Sequence, residues 1–230
     1  PRDGYALVES PYAGMEHQGA IAYGSGFQPG FPGKWVPKNI NYDYIIVHES
    51  AHEYFGNAIS VKDIADMWIH EGFATYMEAL YVEYMSTNLD AIKYLNGLGS
   101  IIRNSEPLVG PYNVNYEYVT NSDRYNKGAW LLHTLRLSFA DDSLFFGLLK
   151  GFYHQYKYNT CTSDDFVQFV NEYLKKDMTS VFEQYLHHPG LPTLEYDLEK
   201  SDDGEYTIKC RWQAAVNGFD LPVVVGTPDH

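Results

Sequence analysis

The chain has 230 residues, 45% hydrophobic and 20% charged, a balance that describes a folded protein of one large or two small domains and excludes a disordered one. A formal net charge of −14 excludes nucleic acid and an anionic membrane surface as partners, because both would repel it. No run approaches the ~18 apolar residues of a membrane span, and Pro1 is followed by no basic and apolar leader, so the expectation is an excised piece of a longer protein whose targeting segment is absent or was removed.

Residues 5–8 and 19–23 read as strands, joined through Pro11 to His17. Residues 24–40 carry Gly24, Gly26, Pro29, Gly30, Pro32, Gly33 and Pro37, which is loop chemistry. Asn41 or Asp43 then caps a helix opening at Ile45, Ile46 and Val47. This helix holds His48-Glu49-Ser50-Ala51-His52. Two histidines four apart sit about 40° off one line, because each helical turn takes ~3.6 residues. Both imidazoles therefore reach one ion from the same face, while Glu49 comes off beside that position. A hydrolytic zinc site needs this arrangement, two nitrogen ligands and an adjacent base for water. The bland alternative is a helix with two solvated or capped histidines.

Catalytic zinc takes three protein ligands and leaves a fourth position open. Glu71, with eighteen residues between it and His52, is the expected third. It lies in a second apolar-periodic run (Ile64, Met67, Trp68, Phe73, Met77, Leu80, Tyr81), long enough for a separate helix packed on the first. A third histidine ligand six residues after His52 is excluded, since Phe55 and Ala58 stand where that pattern needs Gly and His. The expected set is His48, His52 and Glu71 around one zinc per chain. Glu78, on the same face as Glu71, is either an acceptor behind a ligand histidine or a packing residue.

Leu89 to Arg103 reads as a helix capped by Asn88, and Pro107 to Tyr118 as a surface loop. Helical periodicity returns at 130–139, 144–149, 166–173 and 181–185, with Thr162 or Ser163 and Thr179 or Ser180 as caps of the last two. Character changes at His188-Pro189-Gly190, after which residues 193–198 and 206–212 alternate with period two around Ser201-Asp202-Asp203-Gly204. A hairpin is not a stable sheet alone, so 1–187 reads as one domain and 188–230 as the start of a β domain cut short. Cys161, in a loop, and Cys210, in a strand, fit no metal spacing, and a disulfide or two free thiols both stay open.

Two more motifs carry chemistry. Gly14-Met15-Glu16-His17 ends a strand; it is either a turn with a solvated glutamate or a carboxylate for a substrate ammonium, with the Ala13, Gly14 and Met15 edge offered to an extended peptide. Tyr125-Asn126-Lys127-Gly128-Ala129 opens a helix with either a packed tyrosine or a phenol that donates to an oxyanion.

Gly-Met-Glu, His-Glu-x-x-His, Glu-Gly-Phe-Ala and Tyr-x-Lys-Gly-Ala follow in that order, with Phe55-Gly56-Asn57 after the second histidine. From about residue 10 to about 187 the chain thereby resembles the aminopeptidase N family of gluzincin metallopeptidases, closest to a bacterial branch with a Met-Glu-His-Gln exopeptidase motif. Ala13 and His17 depart from the family's usual Gly-x-Met-Glu-Asn, Glu53 replaces a usual glutamine, and His70 replaces a usual asparagine. The lone histidine at 70 reads as packed or solvated rather than as a fourth ligand.

The resemblance implies an α+β, mostly helical, thermolysin-like catalytic domain with strands at its N-terminal end, a β domain before it and a β-sandwich begun at 188–230. It implies zinc on His48, His52 and Glu71, Glu49 as general base and then proton donor, Glu16 on the substrate α-amine, and Tyr125 on the oxyanion. The implied activity is removal of N-terminal residues from peptides. A thermolysin-type endopeptidase, or a zinc-binding fragment inactive without its missing β domains, is the alternative. The branch leans towards export into a bacterial periplasm.

Overall fold

The computed structural model describes residues 4–29, 43–114 and 122–225. Strands β1 (Leu7–Glu9), β2 (Gly14–Met15) and β3 (Ile21–Tyr23) form a small sheet in the order β1-β3-β2, with β3 parallel to β1 and antiparallel to β2. All three residues of the central strand are buried, as expected for a strand covered on both faces. Helix α1 (Tyr44–Ala51) packs beside it. Its cap is Asp43, whose carboxylate accepts the Ile46 amide at 3.2 Å and also receives the Tyr23 hydroxyl, tying sheet to helix. Asn41, and the Gly/Pro run from 30 to 40, lie outside the described residues.

The second apolar run does not begin as α-helix at Ile64. Asp63 accepts the Ala65 amide at 2.9 Å and holds Ile64–Asp66 in a 3-10 turn, and α2 (Trp68–Met85) starts after it. Buried residues lie on most sides of α2 (Trp68, Ile69, Phe73, Tyr76, Val82), which marks a core helix rather than a surface one. Helix α3 (Asn88–Gly99) is capped by Thr87, whose hydroxyl accepts the Asp90 amide at 3.1 Å; Asn88, the expected cap, is instead its first helical residue.

Helices α4 (Asp123–Phe139), α5 (Asp142–Tyr156), α6 (Ser163–Leu174) and α7 (Thr179–His187) follow. Thr162 and Asp165 form a reciprocal capping box on α6. Neither Thr179 nor Ser180 caps α7. Asn171 and Asp177 take the Met178 and Thr179 amides at 2.7 and 2.9 Å.

Two unforeseen strands, β4 (Ile59–Val61) and β5 (Asn159–Cys161), pair in parallel. Three residues apiece are too few to display a period-two pattern. Cys161 thus closes a strand, not a loop; it is buried, Cys210 is exposed, and both are free thiols. Beyond α7, β6 (Thr193–Lys200) and β7 (Tyr206–Gln213) form the expected hairpin.

The contact that places the site is a helix crossing. A Cβ added at Gly72 of α2 would stand 2.9 Å from the Gly128 Cα of α4, so the two backbones touch where any side chain would part them. Phe73, just past the crossing, meets the rings of Phe55, Phe152 and Phe166 at 4.5, 6.1 and 5.4 Å. The aromatic core is therefore built directly behind Gly72 and the expected ligand Glu71.

Candidate metal centre and active site

Two helices bring the expected ligands to one point. His48 projects from α1, His52 from the residue that caps its C-terminal end, and Glu71 from the first turn of α2, all of them buried. The Nε2 atoms of the two histidines are 3.1 Å apart, and Glu71 Oε2 lies 3.2 Å from the first and 3.4 Å from the second. A tetrahedral zinc with bonds of about 2.0–2.1 Å has ligand edges of roughly 3.3 Å. The three separations match that edge.

The far side of each ring fixes its tautomer. His48 Nδ1 donates to Glu78 Oε1 at 2.7 Å, and His52 Nδ1 donates to the Phe55 carbonyl at 2.8 Å. Each acceptor draws the ring proton to Nδ1 and turns the Nε2 lone pair towards the shared point. Of the two readings of Glu78, the structure selects the acceptor. Its other oxygen takes the hydroxyl of buried Tyr94 on α3, so a full shell stands behind His48.

Electrostatically the pocket demands a cation. Burial works against a charge on His48, but Glu71 and Glu78 outweigh it and push the imidazole up to about 10. Burial would raise Glu71, yet the two imidazoles hold its carboxyl well below the usual carboxylate range. Donor chemistry and spacing both fit zinc.

Glu49 is buried to 6% exposure, and its Oε2 has no hydrogen-bond partner among the described residues. Burial pushes this carboxyl up to about 7, with the His48 and His52 charges opposing. An orphaned carboxylate oxygen, poised near neutral beside three ligand atoms, has the properties of a base awaiting a proton donor. Gly14 lets it sit there, since a Cβ at that position would fall 2.5 Å from Glu49 Oε1.

Glu16, Glu49 and His52 form a second close group, each offering one atom within 4.8 Å of the others. Glu16 is thus brought to the site, one residue past β2, and is half-buried. Met15 is exposed, and the Ala13 carbonyl accepts the Gly24 amide at 3.0 Å.

Tyr125, near the start of α4, donates to Glu71 Oε1 at 2.9 Å and stacks 5.9 Å from His48. Burial, then the charge of Glu71, raise its pKa above the ordinary phenol range, with Arg124 pulling the other way, so it keeps its proton and acts as a donor. His70 is no ligand. Its Nε2 accepts the Val61 amide of β4 at 3.1 Å, and burial lowers its pKa to about 4. The motif reading missed Tyr94, Arg124 (5.4 Å over the Tyr125 ring) and the grip of Asn57 on Glu16. Only Asn57 had a signal, its place in Phe55-Gly56-Asn57.

The model of the Peptidase family M1 domain matches residues 3–185, and the chain belongs to that family. Among curated relatives it is 26% identical over 207 residues to aminopeptidase N of Lactococcus lactis, covering 84% of this chain and 24% of that protein. It is 27% identical over 183 residues to human aminopeptidase B, covering 69% and 27%. Among solved structures, Legionella pneumophila aminopeptidase A in complex with aspartic acid superposes with a TM-score of 0.73 at 18% identity, over 94% of this chain and 25% of that one. An M1 zinc metallopeptidase from Deinococcus radiodurans, an E323A mutant bound to a Tyr-Ser-Ala substrate, gives 0.65 at 22% over 82% and 40%. The chain spans about a quarter of the length of the curated relatives named here. The α+β, mostly helical architecture is the fold of these structures.

Proposed function

We propose that this chain carries the active site of a zinc aminopeptidase that hydrolyses the first peptide bond of substrates with a free α-amine. The observation behind the reading is the pairing of two adjacent groups, His48-His52-Glu71 and Glu16-Glu49-His52, which share His52. One holds a cation and the other sets an anionic post beside it. The named relatives are aminopeptidases, which supports the same conclusion.

His48, His52 and Glu71 hold one zinc, which when bound supplies Lewis acidity towards the scissile carbonyl and lowers the pKa of water. Glu49 takes the proton of the attacking water at its unpartnered oxygen and returns it to the leaving amine. Glu16 accepts the ammonium of the substrate, an interaction that a blocked N-terminus cannot repay once the carboxylate is desolvated. Tyr125 turns its hydroxyl from Glu71 to the oxygen on which negative charge develops, and its raised pKa keeps it a donor through that step. On this reading residues 188–230 belong to a β-sandwich that follows the catalytic domain, and the Met-Glu-His-Gln motif supports a bacterial branch.

A panel of aminoacyl-nitroanilides with matched N-acetyl controls tests the reading. Free-amine substrates should turn over and their acetylated partners should not, and Glu16→Gln should raise KM for the free amines while zinc content stays at one per chain. Equal turnover of the acetylated partners would overturn it in favour of an endopeptidase.

A further inference from the structure

The turn after α1 has two jobs at once. Phe55 presents its carbonyl to His52 Nδ1 at 2.8 Å, which orients a ligand. Two residues later, Asn57 Nδ2 donates to the Glu16 carbonyl at 2.9 Å, across 41 residues of sequence. Between them Gly56 adopts φ +140, a value side chains rarely take, and a Cβ there would stand 3.0 Å from His52 Nδ1. Glu16 lies beyond the β2–β3 pairing, which ends at Met15↔Ala22. Among the described hydrogen bonds, that of Asn57 ties its backbone to the helical body.

We infer that Asn57 is a positioning residue for N-terminal selectivity: it fixes the distance between the Glu16 carboxylate and the metal ligands, and so decides where a substrate's ammonium must sit. The inference rests on Glu16 being the amine anchor. Fixing a carbonyl restricts the carboxylate on the same residue to fewer positions, so the order is present before substrate arrives. The turn itself is held by main-chain bonds. The Asn57 amide donates to His52 O at 2.8 Å, Gly56 N to Ile59 O at 2.7 Å and Ile59 N to Tyr54 O at 3.1 Å. Removing the side-chain amide therefore frees Glu16 while leaving His52 oriented, and metal binding separates from amine binding at this residue.

The test is a cycle of Asn57→Ala, Glu16→Gln and the double variant in the zinc-loaded protein. Three readouts are taken: zinc per chain, KM against kcat for a free-amine nitroanilide, and calorimetric affinity for the matching free amino acid and its N-acetyl form. Losing one hydrogen bond of this kind should raise KM and the amino-acid Kd roughly 5- to 20-fold in Asn57→Ala. Zinc and kcat should hold, and Asn57→Ala should add no further rise on the Glu16→Gln background. Asn57→Ser, whose shorter side chain falls short of the carbonyl, should repeat the effect in a variant that keeps a polar residue at this half-buried position. Raised KM in Glu16→Gln beside parental KM in both Asn57 variants sinks this inference alone, as do effects that multiply. Parental KM in Glu16→Gln sinks the anchor, and this inference with it.

Discussion

In the helical body the residues proposed to carry chemistry include a buried polar group, whereas in the β6–β7 hairpin the apolar residues are the exposed ones. His48, Glu49, His52, Glu71 and Glu78 are at most 7% exposed, while Tyr196, Leu198, Tyr206 and Ile208 range from 40% to 73%. Burying charge is expensive unless partners are supplied, and at the site each partner comes from a different element: Glu78 from α2, Tyr94 from α3, the Phe55 carbonyl from the turn after α1. In the hairpin the register is complete within itself. Tyr196 faces Cys210 and Leu198 faces Ile208 on one side, and Glu195–Arg211 and Glu199–Lys209 pair at 2.6 Å on the other. The site is over-determined by its surroundings, and the hairpin face is determined by alternation alone.

The sharpest break in that comparison is Glu49→Gln. Turnover should fall roughly 10²- to 10⁴-fold, the range of a lost general base, with zinc per chain unchanged. Stability should not fall with it, because the substitution replaces a buried carboxylate whose Oε2 has no partner with a neutral isostere. The sign follows from the raised pKa. A carboxyl at about 7 in the fold and about 4.5 outside it binds more protons when folded, so in the metal-free protein its contribution is lost as pH rises from 4.5 to 7. Thermal melts of metal-free Glu49→Gln should show that slope flattened. Wild-type turnover in this variant would remove Glu49 from the chemistry.

Next in size is the helix crossing. Tyr125→Phe should lower kcat roughly 10²- to 10³-fold, as loss of one oxyanion donor does elsewhere. Gly128→Ala should lower it about 10- to 100-fold from a position that touches no substrate, by parting α4 from α2 and drawing the phenol off Glu71. The added methyl also costs about 1–3 kcal/mol of overpacking. Combined with Tyr125→Phe, Gly128→Ala should cost almost no further kcat. Multiplying losses would mean that the crossing supports something other than the tyrosine.

What was readable in the sequence follows the same divide. His48 and His52 were legible because four residues along one helix is a local geometry, and the hairpin because period two survives over eight residues. The caps of α3 and α7 were misplaced by a residue or more, since Thr87 and Asn88 are both good caps and only the backbone chooses between them. Contacts between distant segments were invisible. Tyr94 on Glu78, Asn57 on Glu16 and the three-residue strands β4 and β5, one hundred residues apart, need the folded chain to meet.

The smallest expected effect falls on the hairpin. Ile208→Ser exchanges an apolar side chain 40% exposed, on a face whose neighbours Tyr196, Leu198 and Tyr206 are more exposed still. In the 230-residue chain it should shift stability by no more than about 0.5 kcal/mol and leave kcat and KM unmoved. Trp212, which donates to the Leu221 carbonyl at 2.8 Å and packs on Phe219 at 5.4 Å, holds the base of the hairpin and is undisturbed by the change. In a longer protein whose β-sandwich covers this face, the same substitution should cost about 1.5–3 kcal/mol, the worth of a fully buried aliphatic side chain. Denaturant midpoints for the two lengths therefore separate a face that is exposed by nature from one that another β layer completes. A cost above 1 kcal/mol already in the 230-residue chain would erase the contrast between the two regions.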